Sequence, residues 1–153
     1  MASGTFIIFG GNKADIRVND LVTGNLRIAL VTNTYVPNIS ATGDTLFATP
    51  ATNEITGGTG YTTGGLALTG TVAANVANTG FKLSTGNAVW TASGAGIPAF
   101  RYAVIYYLGT LWGKVNPLIG YFVGDSTPAD IPITTSPNTL TINSPATGWF
   151  DET

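Results

Sequence analysis

Phe100-Arg101-Tyr102-Ala103-Val104-Ile105-Tyr106-Tyr107-Leu108 and, after a polar break, Pro117-Leu118-Ile119-Gly120-Tyr121-Phe122-Val123 are two closely spaced apolar runs. Both apolar runs are rich in β-branched and aromatic residues and too short for globular helices, and Gly109 to Pro117 supplies turn chemistry between them. The pattern predicts a central β-hairpin. In its first arm, alternation sends Tyr102, Val104 and Tyr106 to one face and Arg101, Ala103, Ile105 and Tyr107 to the other, with Arg101 the only charge. A strand apolar on both faces needs cover on both, so two packed sheets are expected.

Upstream, Asn25 to Thr32 reads as a second core strand with Leu26, Ile28 and Leu30 on one face. From Asn33 to Thr63 the texture changes to Asn, Thr, Gly, Ala and Pro with isolated anchors at Tyr35, Leu46, Phe47, Ile55 and Tyr61, an excursion pinned by its aromatics. Alternation returns at Gly64 to Val72, with Leu66, Leu68 and Val72 inward. Phe81-Lys82-Leu83 and Ala88 to Thr91 then flank a turn at Ser84 to Asn87, which predicts an antiparallel meander. Thr139 to Ile142 is the last strand. Asn12 to Gly24 is irregular, with Asp15 or Asn19 as caps for a single helical turn, and Gly124 to Asn138 closes no pattern.

The ends admit two readings. Phe6-Ile7-Ile8-Phe9 is too short for a signal h-region or a membrane span, so residues 1–11 are an N-terminal arm or an edge strand. Residues 144–153 are expected to form a C-terminal arm whose Trp149-Phe150 pair is buried on its own domain or on a neighbour. The chain is expected to be a single β domain over 1–153. Its fold class is all-β: an antiparallel β-sandwich, near to jelly-roll-like, with long Gly/Thr/Asn-rich loops.

At 153 residues a single domain buries roughly two thirds of its unfolded surface and needs no staple. Cysteine and histidine are both absent, which removes disulfides, thiolate metal sites and thiol nucleophiles. Only 9% of residues are charged and the net charge is −2, so no basic stripe awaits phosphates and no polybasic segment awaits anionic lipid. Nucleic acid and membrane are poor partners. The solvent-facing surface must instead be built from Thr, Asn, Ser and Gly, groups that can be desolvated against a partner without stranding charge. A protein that works in contact with other subunits is expected.

Candidate chemistry fails on context. The run Gly57 to Gly65 lacks both a helix to follow it and the Lys of a nucleotide loop, so it reads as a turn with Tyr61 packed inward. The acidic residues Asp15, Asp20, Asp44, Glu54, Asp125, Asp130, Asp151 and Glu152 are scattered, and no pair suggests acid–base work. Glu54, set between Phe47 and Ile55, is expected to form a structural ion pair with Arg101. Asp125, Ser126, Thr127 and Asp130 lack the spacing of a calcium loop. Asn38-Ile39-Ser40 matches a glycosylation acceptor that matters only in a secreted eukaryotic protein. No catalytic residue, cofactor or metal is assigned.

Taken in order, Leu26 to Pro37, then Asn53-Glu54-Ile55 leading into Gly58-Thr59-Gly60-Tyr61-Thr62-Thr63-Gly64-Gly65, then Arg101 to Tyr106 and Pro117 to Tyr121, resemble a family of small virion structural proteins of tailed bacteriophages and prophages. The resemblance covers roughly residues 25 to 124; the segments before Asn25 and after Gly124 depart from it. It implies a non-enzymatic virion β-protein: a capsid cement or decoration protein that binds the outside of the major capsid lattice as a homodimer or homotrimer. Such a protein would be made in the bacterial host cytoplasm and end on the capsid surface. The alternatives are a tail or fibre-associated structural component and, from another class, a carbohydrate-binding module using Trp90, Trp112 or Trp149, of which Trp112 is the one placed to be exposed. The apolar ends and the loop tryptophan make Phe6, Ile7, Ile8, Phe9, Trp112, Trp149 and Phe150 the interface candidates.

Overall fold

The computed structural model describes residues 5–22, 24–74, 78–124 and 129–152. In chain order its strands are β1 (Ile7–Ile8), β2 (Leu26–Val31), β3 (Leu66–Leu68), β4 (Gly70–Ala74), β5 (Phe81–Thr85), β6 (Ala88–Thr91), β7 (Tyr102–Tyr107), β8 (Thr110–Leu111), β9 (Lys114–Val115), β10 (Leu118–Val123), β11 (Thr139–Ile142) and β12 (Phe150–Glu152). One short helix, α1 (Ala48–Ala51), and two 3₁₀ turns are the only helical pieces among the described residues. The fold is all-β, and its sheets are antiparallel.

The expected central hairpin is the middle of a five-stranded sheet ordered β1-β10-β7-β2-β3. Residues 103–107 of β7 are all buried, because alternation gives them to two different cores. Ala103 and Ile105 join Leu26, Ile28 and Leu30 of β2 and Phe122 of β10 on one face, where they meet Leu83, Trp90, Leu140, Ile142 and Trp149 from β5, β6, β11 and the C-terminal segment. Val104 and Tyr106 join Ala29, Val31, Leu118 and Tyr121 on the other face. Each aliphatic side chain so buried contributes about 1.5–3 kcal/mol, which fixes the register of β2 against β7, Ile28 opposite Ile105, since a one-residue slip would exchange the two faces. A bulge between Leu118 and Gly120 shifts the alternation by one position, so that Ile119 and Tyr121, two residues apart, serve opposite cores.

The second face is not covered by a sheet, contrary to the expectation for a doubly apolar strand. Phe9, Tyr35 and Phe47 cover it, the last two from the excursion between β2 and β3. The excursion is therefore a structural lid, and its aromatic anchors bury as expected: Phe47 stacks on Tyr106 with ring centroids 3.8 Å apart.

Several local expectations are corrected. β5 and β6 do not pair in a meander; β5 lies between β4 and β12, while β6 pairs only with β11. The turn between them is a crossing point: Thr85 N–H donates to Ser144 Oγ and Ser144 N–H to Asn87 Oδ1, which draws the chain after β11 alongside it. Likewise β3 and β4 belong to different sheets, and Val72, expected inward, is 36% exposed on β4. Neither Asp15 nor Asn19 caps a turn: the 3₁₀ turns start after Phe9 and Arg17 with no side-chain cap, and Asp15 instead pairs with Lys114 at 2.5 Å. The segment after β10 does close a pattern, through bridges Phe100–Ile131 and Ile97–Thr134.

Both ends are seated on the chain's own sheets. β1 is the edge strand of the five-stranded sheet, Ile7 opposite Tyr121 and Ile8 opposite Gly120, and β12 pairs with β5, Phe150 opposite Leu83. Phe6 lies over Gly120, where a Cβ would stand 2.3 Å from its ring, so only glycine leaves room for it. Within the expected C-terminal arm over 144–153, residues 150–152 form β12, and at the N-terminal end Ile7 and Ile8 form an edge strand. Residues 1–4 and Thr153, parts of those two segments, lie outside the described residues.

Candidate functional site

The residues that the sequence singles out for chemistry converge where the excursion rejoins the central sheet. Ile55 N–H donates to Leu30 O and Thr32 N–H to Asn53 O, so Glu54 bridges Val31 on the side of β2 away from β7. That placement explains why the expected Glu54–Arg101 ion pair is absent. One strand separates the two charges, and neighbouring strands lie about 4.8 Å apart. Arg101 turns outward, its Nε 2.7 Å from Asp130 Oδ1, and Asn33 Nδ2 donates to the same carboxylate at 2.8 Å. Asp130 lies outside any apolar pattern, so nothing local in the sequence announced it.

Glu54 becomes the centre of a hydrogen-bonded knot. Its Oε1 accepts from the Tyr61 hydroxyl at 2.5 Å and from Gly64 N–H at 2.7 Å. Tyr61 oxygen accepts from Leu30 N–H at 3.0 Å, and the Tyr106 hydroxyl donates to Gly64 O at 2.8 Å. The glycines of the run serve this geometry: at Gly65, with φ near +75°, a Cβ would stand 2.1 Å from Ile28 O, so the loop docks on β2 only without a side chain. Tyr61 packs inward as expected and is 2% exposed.

Electrostatically the knot holds its phenols neutral. Burial, reinforced by the hydrogen bond to Glu54, pushes the Tyr61 hydroxyl far above its ordinary value, and burial with the nearby Glu54 charge raises Tyr106. A phenol so held is a tether and a poor base near neutral pH. The open depression beside it, about 500 Å³, is lined by Thr56, Gly57, Gly58, Thr62 and Thr63 together with Tyr61. Among the described residues no group of three or more acidic side chains is placed to hold a metal ion; the calcium candidates Asp125, Ser126 and Thr127 lie outside them.

Replacing Glu54 by Ala is expected to cost about 1–3 kcal/mol, because the buried Tyr61 hydroxyl and Gly64 N–H lose their acceptor, whereas Glu54→Gln keeps a carbonyl acceptor and should cost less than half as much. Urea midpoints of the two variants check this; equal midpoints for wild type and Glu54→Ala would mean that water replaces the carboxylate at no cost.

The interface candidates separate into three places. Phe6, Trp149 and Phe150 come together, Phe6 centred 5.4 Å from Trp149 and 6.4 Å from Phe150, while Trp149 stacks on Phe122 at 5.5 Å and donates Nε1–H to Thr85 Oγ1. Phe9 is fully buried against Tyr121 on the opposite face, and Ile7 and Ile8 are half-buried in β1. Trp112 stands alone at the tip of the β8–β9 hairpin. It is half-buried, and its Nε1–H donates to Asp20 at 3.0 Å, so the turn from Gly10 to Leu21 holds a ring that was expected to be exposed. Phe9 and Trp149 are core residues of the chain, corrected from interface residues because its own aromatic clusters consume them. The polar anchors missed from sequence are Asn12, whose Nδ2 donates to Thr45 O at 2.6 Å and Leu118 O at 2.8 Å, and Asp44, which accepts the Tyr35 hydroxyl at 2.7 Å. Burial, then the hydrogen bond to Asp44, raises the hydroxyl of Tyr35 on that face, and burial with the electrostatic influence of Tyr102 raises that of Tyr121.

Comparison with protein-family models, with curated proteins and with solved structures finds no match.

Proposed function

We propose that this protein is a virion structural component of a tailed bacteriophage or prophage, a cement protein seated on the outside of the major capsid lattice. The observation that carries the reading is the division of labour among its side chains. The residues of the family-like segments, Leu26 to Val31, Glu54, Tyr61 and Tyr102 to Tyr106, are spent on the double core and the hydrogen-bonded knot. What remains outside is a charge-poor exterior of Thr, Asn and Gly carrying exposed aliphatics, Val36 at 77%, Val115 at 62% and Ile133 at 56%. Such a surface can be desolvated against a lattice with no unpaired charge, and a rigid scaffold loses little freedom on docking.

The finer architecture belongs to the same proposal: a β-sandwich in which the five-stranded sheet faces the smaller sheets, supported by the single core that draws side chains from both. In the virion the partners are the major capsid protein and further copies of this chain. A cement protein binds the assembled lattice and not its separated subunits, so mass action stabilises the lattice. When an oligomer touches several capsid subunits, avidity exceeds single-site affinity by roughly 10²–10⁴.

Virions lacking the protein should assemble but release packaged DNA at a lower temperature than complete ones. Equal release temperatures would remove the cement reading, and a handful of copies per virion instead of hundreds would favour the tail or fibre component. The carbohydrate-binding reading has less support, since Trp90 and Trp149 are buried and Trp112 is half-buried. Glycan binding abolished by Trp112→Ala would revive it.

A further inference from the structure

The three-stranded sheet β12-β5-β4 ends on one side in β4, at 5 residues the longest of the uncharged edge strands among the described residues. β4 runs Gly70-Thr71-Val72-Ala73-Ala74 without charge or proline, and residues 71–74 are all exposed. Among the described residues, nothing pairs with its outer side. Natural edges are usually shielded by charge, proline, a bulge or extreme shortness. β1 is only two residues long, and β12, at the other end of this same sheet, carries Asp151 and Glu152 in succession. β4 has none of these devices.

Register adds a second observation. Val72 pairs with Leu83 and Ala74 with Phe81, and paired residues share a face, so Val72 and Phe81 lie on the face that buries Leu83 in the core. The apolar face of this sheet therefore runs past the edge of the domain, leaving Val72 36% and Phe81 58% exposed above a groove of about 560 Å³ whose lining includes Val18 and Asn19.

We infer that β4 pairs antiparallel with β4 of a second copy about a two-fold axis at Val72, making a continuous six-stranded sheet across a homodimer. The charge pattern selects this occupant. In an isologous contact the residue on the axis faces its own copy and those beside it face their symmetry partners in the same short strand, so a charged strand repels itself, while this neutral one does not. Val72 meets Val72, Thr71 meets Ala73, and Gly70 meets Ala74, all small or β-branched. The two-fold places each Val72 beside the other on the overhanging face and removes both from water. This deepens the homo-oligomer reading given above and rests on it only in taking a second copy as the occupant.

The test uses the isolated protein. Light scattering at tens of micromolar should give double the chain mass. Val72→Lys and Val72→Glu, each folded by circular dichroism, should each be monomeric at low salt, and their mixture should recover the dimer, because unlike charges then meet at the axis. The native chain has no cysteine, so Val72→Cys provides an independent reading: two sulfurs at the axis fall within disulfide reach, and oxidation should link the chains at least about tenfold faster than it links Ile133→Cys at an exposed site elsewhere. A monomeric or trimeric wild type, a dimer indifferent to both charged variants, or equal cross-linking of the two cysteine variants would overturn the inference. None of these readouts involves the capsid, so failure here and failure of the cement reading are distinguishable.

Discussion

Above about pH 10 this protein should lose stability steeply, while between about pH 5 and 8 it should be nearly flat, since without histidine no side chain of ordinary pKa titrates there. Four tyrosines, Tyr35, Tyr61, Tyr106 and Tyr121, have hydroxyls raised above the usual value, in each case first by burial. Hydrogen bonding to Asp44 reinforces the shift at Tyr35 and hydrogen bonding to Glu54 reinforces it at Tyr61. The sign follows from which state keeps its protons. The unfolded chain ionises its tyrosines near pH 10 and the folded one holds them neutral, so the stabilisation is complete below about pH 10 and is lost as pH climbs towards the folded values. Each tyrosine that stays protonated in the fold removes about 1.4 kcal/mol per pH unit above that point, against a typical total of about 5–15 kcal/mol. Urea midpoints followed from neutral pH into this range, with tyrosinate absorbance as a second signal, should show unfolding and ionisation together. Tyr35→Phe should move the transition to higher pH. Tyrosinate forming ahead of unfolding, or a midpoint unchanged well above pH 10, would show that these hydroxyls ionise within the intact fold.

Trp149→Ala should destabilise the protein by about 3–5 kcal/mol, the range for deleting a buried aromatic ring. Trp149 is 5% exposed, stacks on Phe122, supports Phe6 and donates to Thr85. Its loss opens a cavity between the N-terminal edge strand, the central sheet and β5, and leaves the Phe6 ring half unsupported. For a chain of this length the shift in Tm is on the order of 10 °C. Trp149→Phe keeps the stack and gives up the hydrogen bond, so it should cost less. A C-terminal end that reached across to a neighbour would behave oppositely, with Trp149→Ala changing attachment and leaving the thermal midpoint of the isolated chain where it was.

The part of the fold written in short-range pattern was legible in the chain. Tyr102 to Tyr107, Leu118 to Val123, Leu26 to Val31 and Thr139 to Ile142 are strands because alternation and β-branched or aromatic content are local properties, and the two-faced burial of β7 is legible in the same alternation. The anchoring role of Tyr35, Phe47 and Tyr61 was legible too, since large rings isolated in a polar stretch must find cover. Partners in space beyond the central hairpin were not. Which sheet takes β5, β6 or β12 is decided by long-range backbone pairing, to which neither member's own pattern points. Arg101 pairs with Asp130, 29 positions away, and Glu54 with Tyr61 and Gly64, because β2 stands between Glu54 and Arg101. Phe6 and Trp149, near opposite ends of the chain, meet because glycine at 120 leaves the space for one ring and β12 delivers the other. Tertiary structure decided these contacts because each depends on the distance between strands, a quantity that local alternation does not contain.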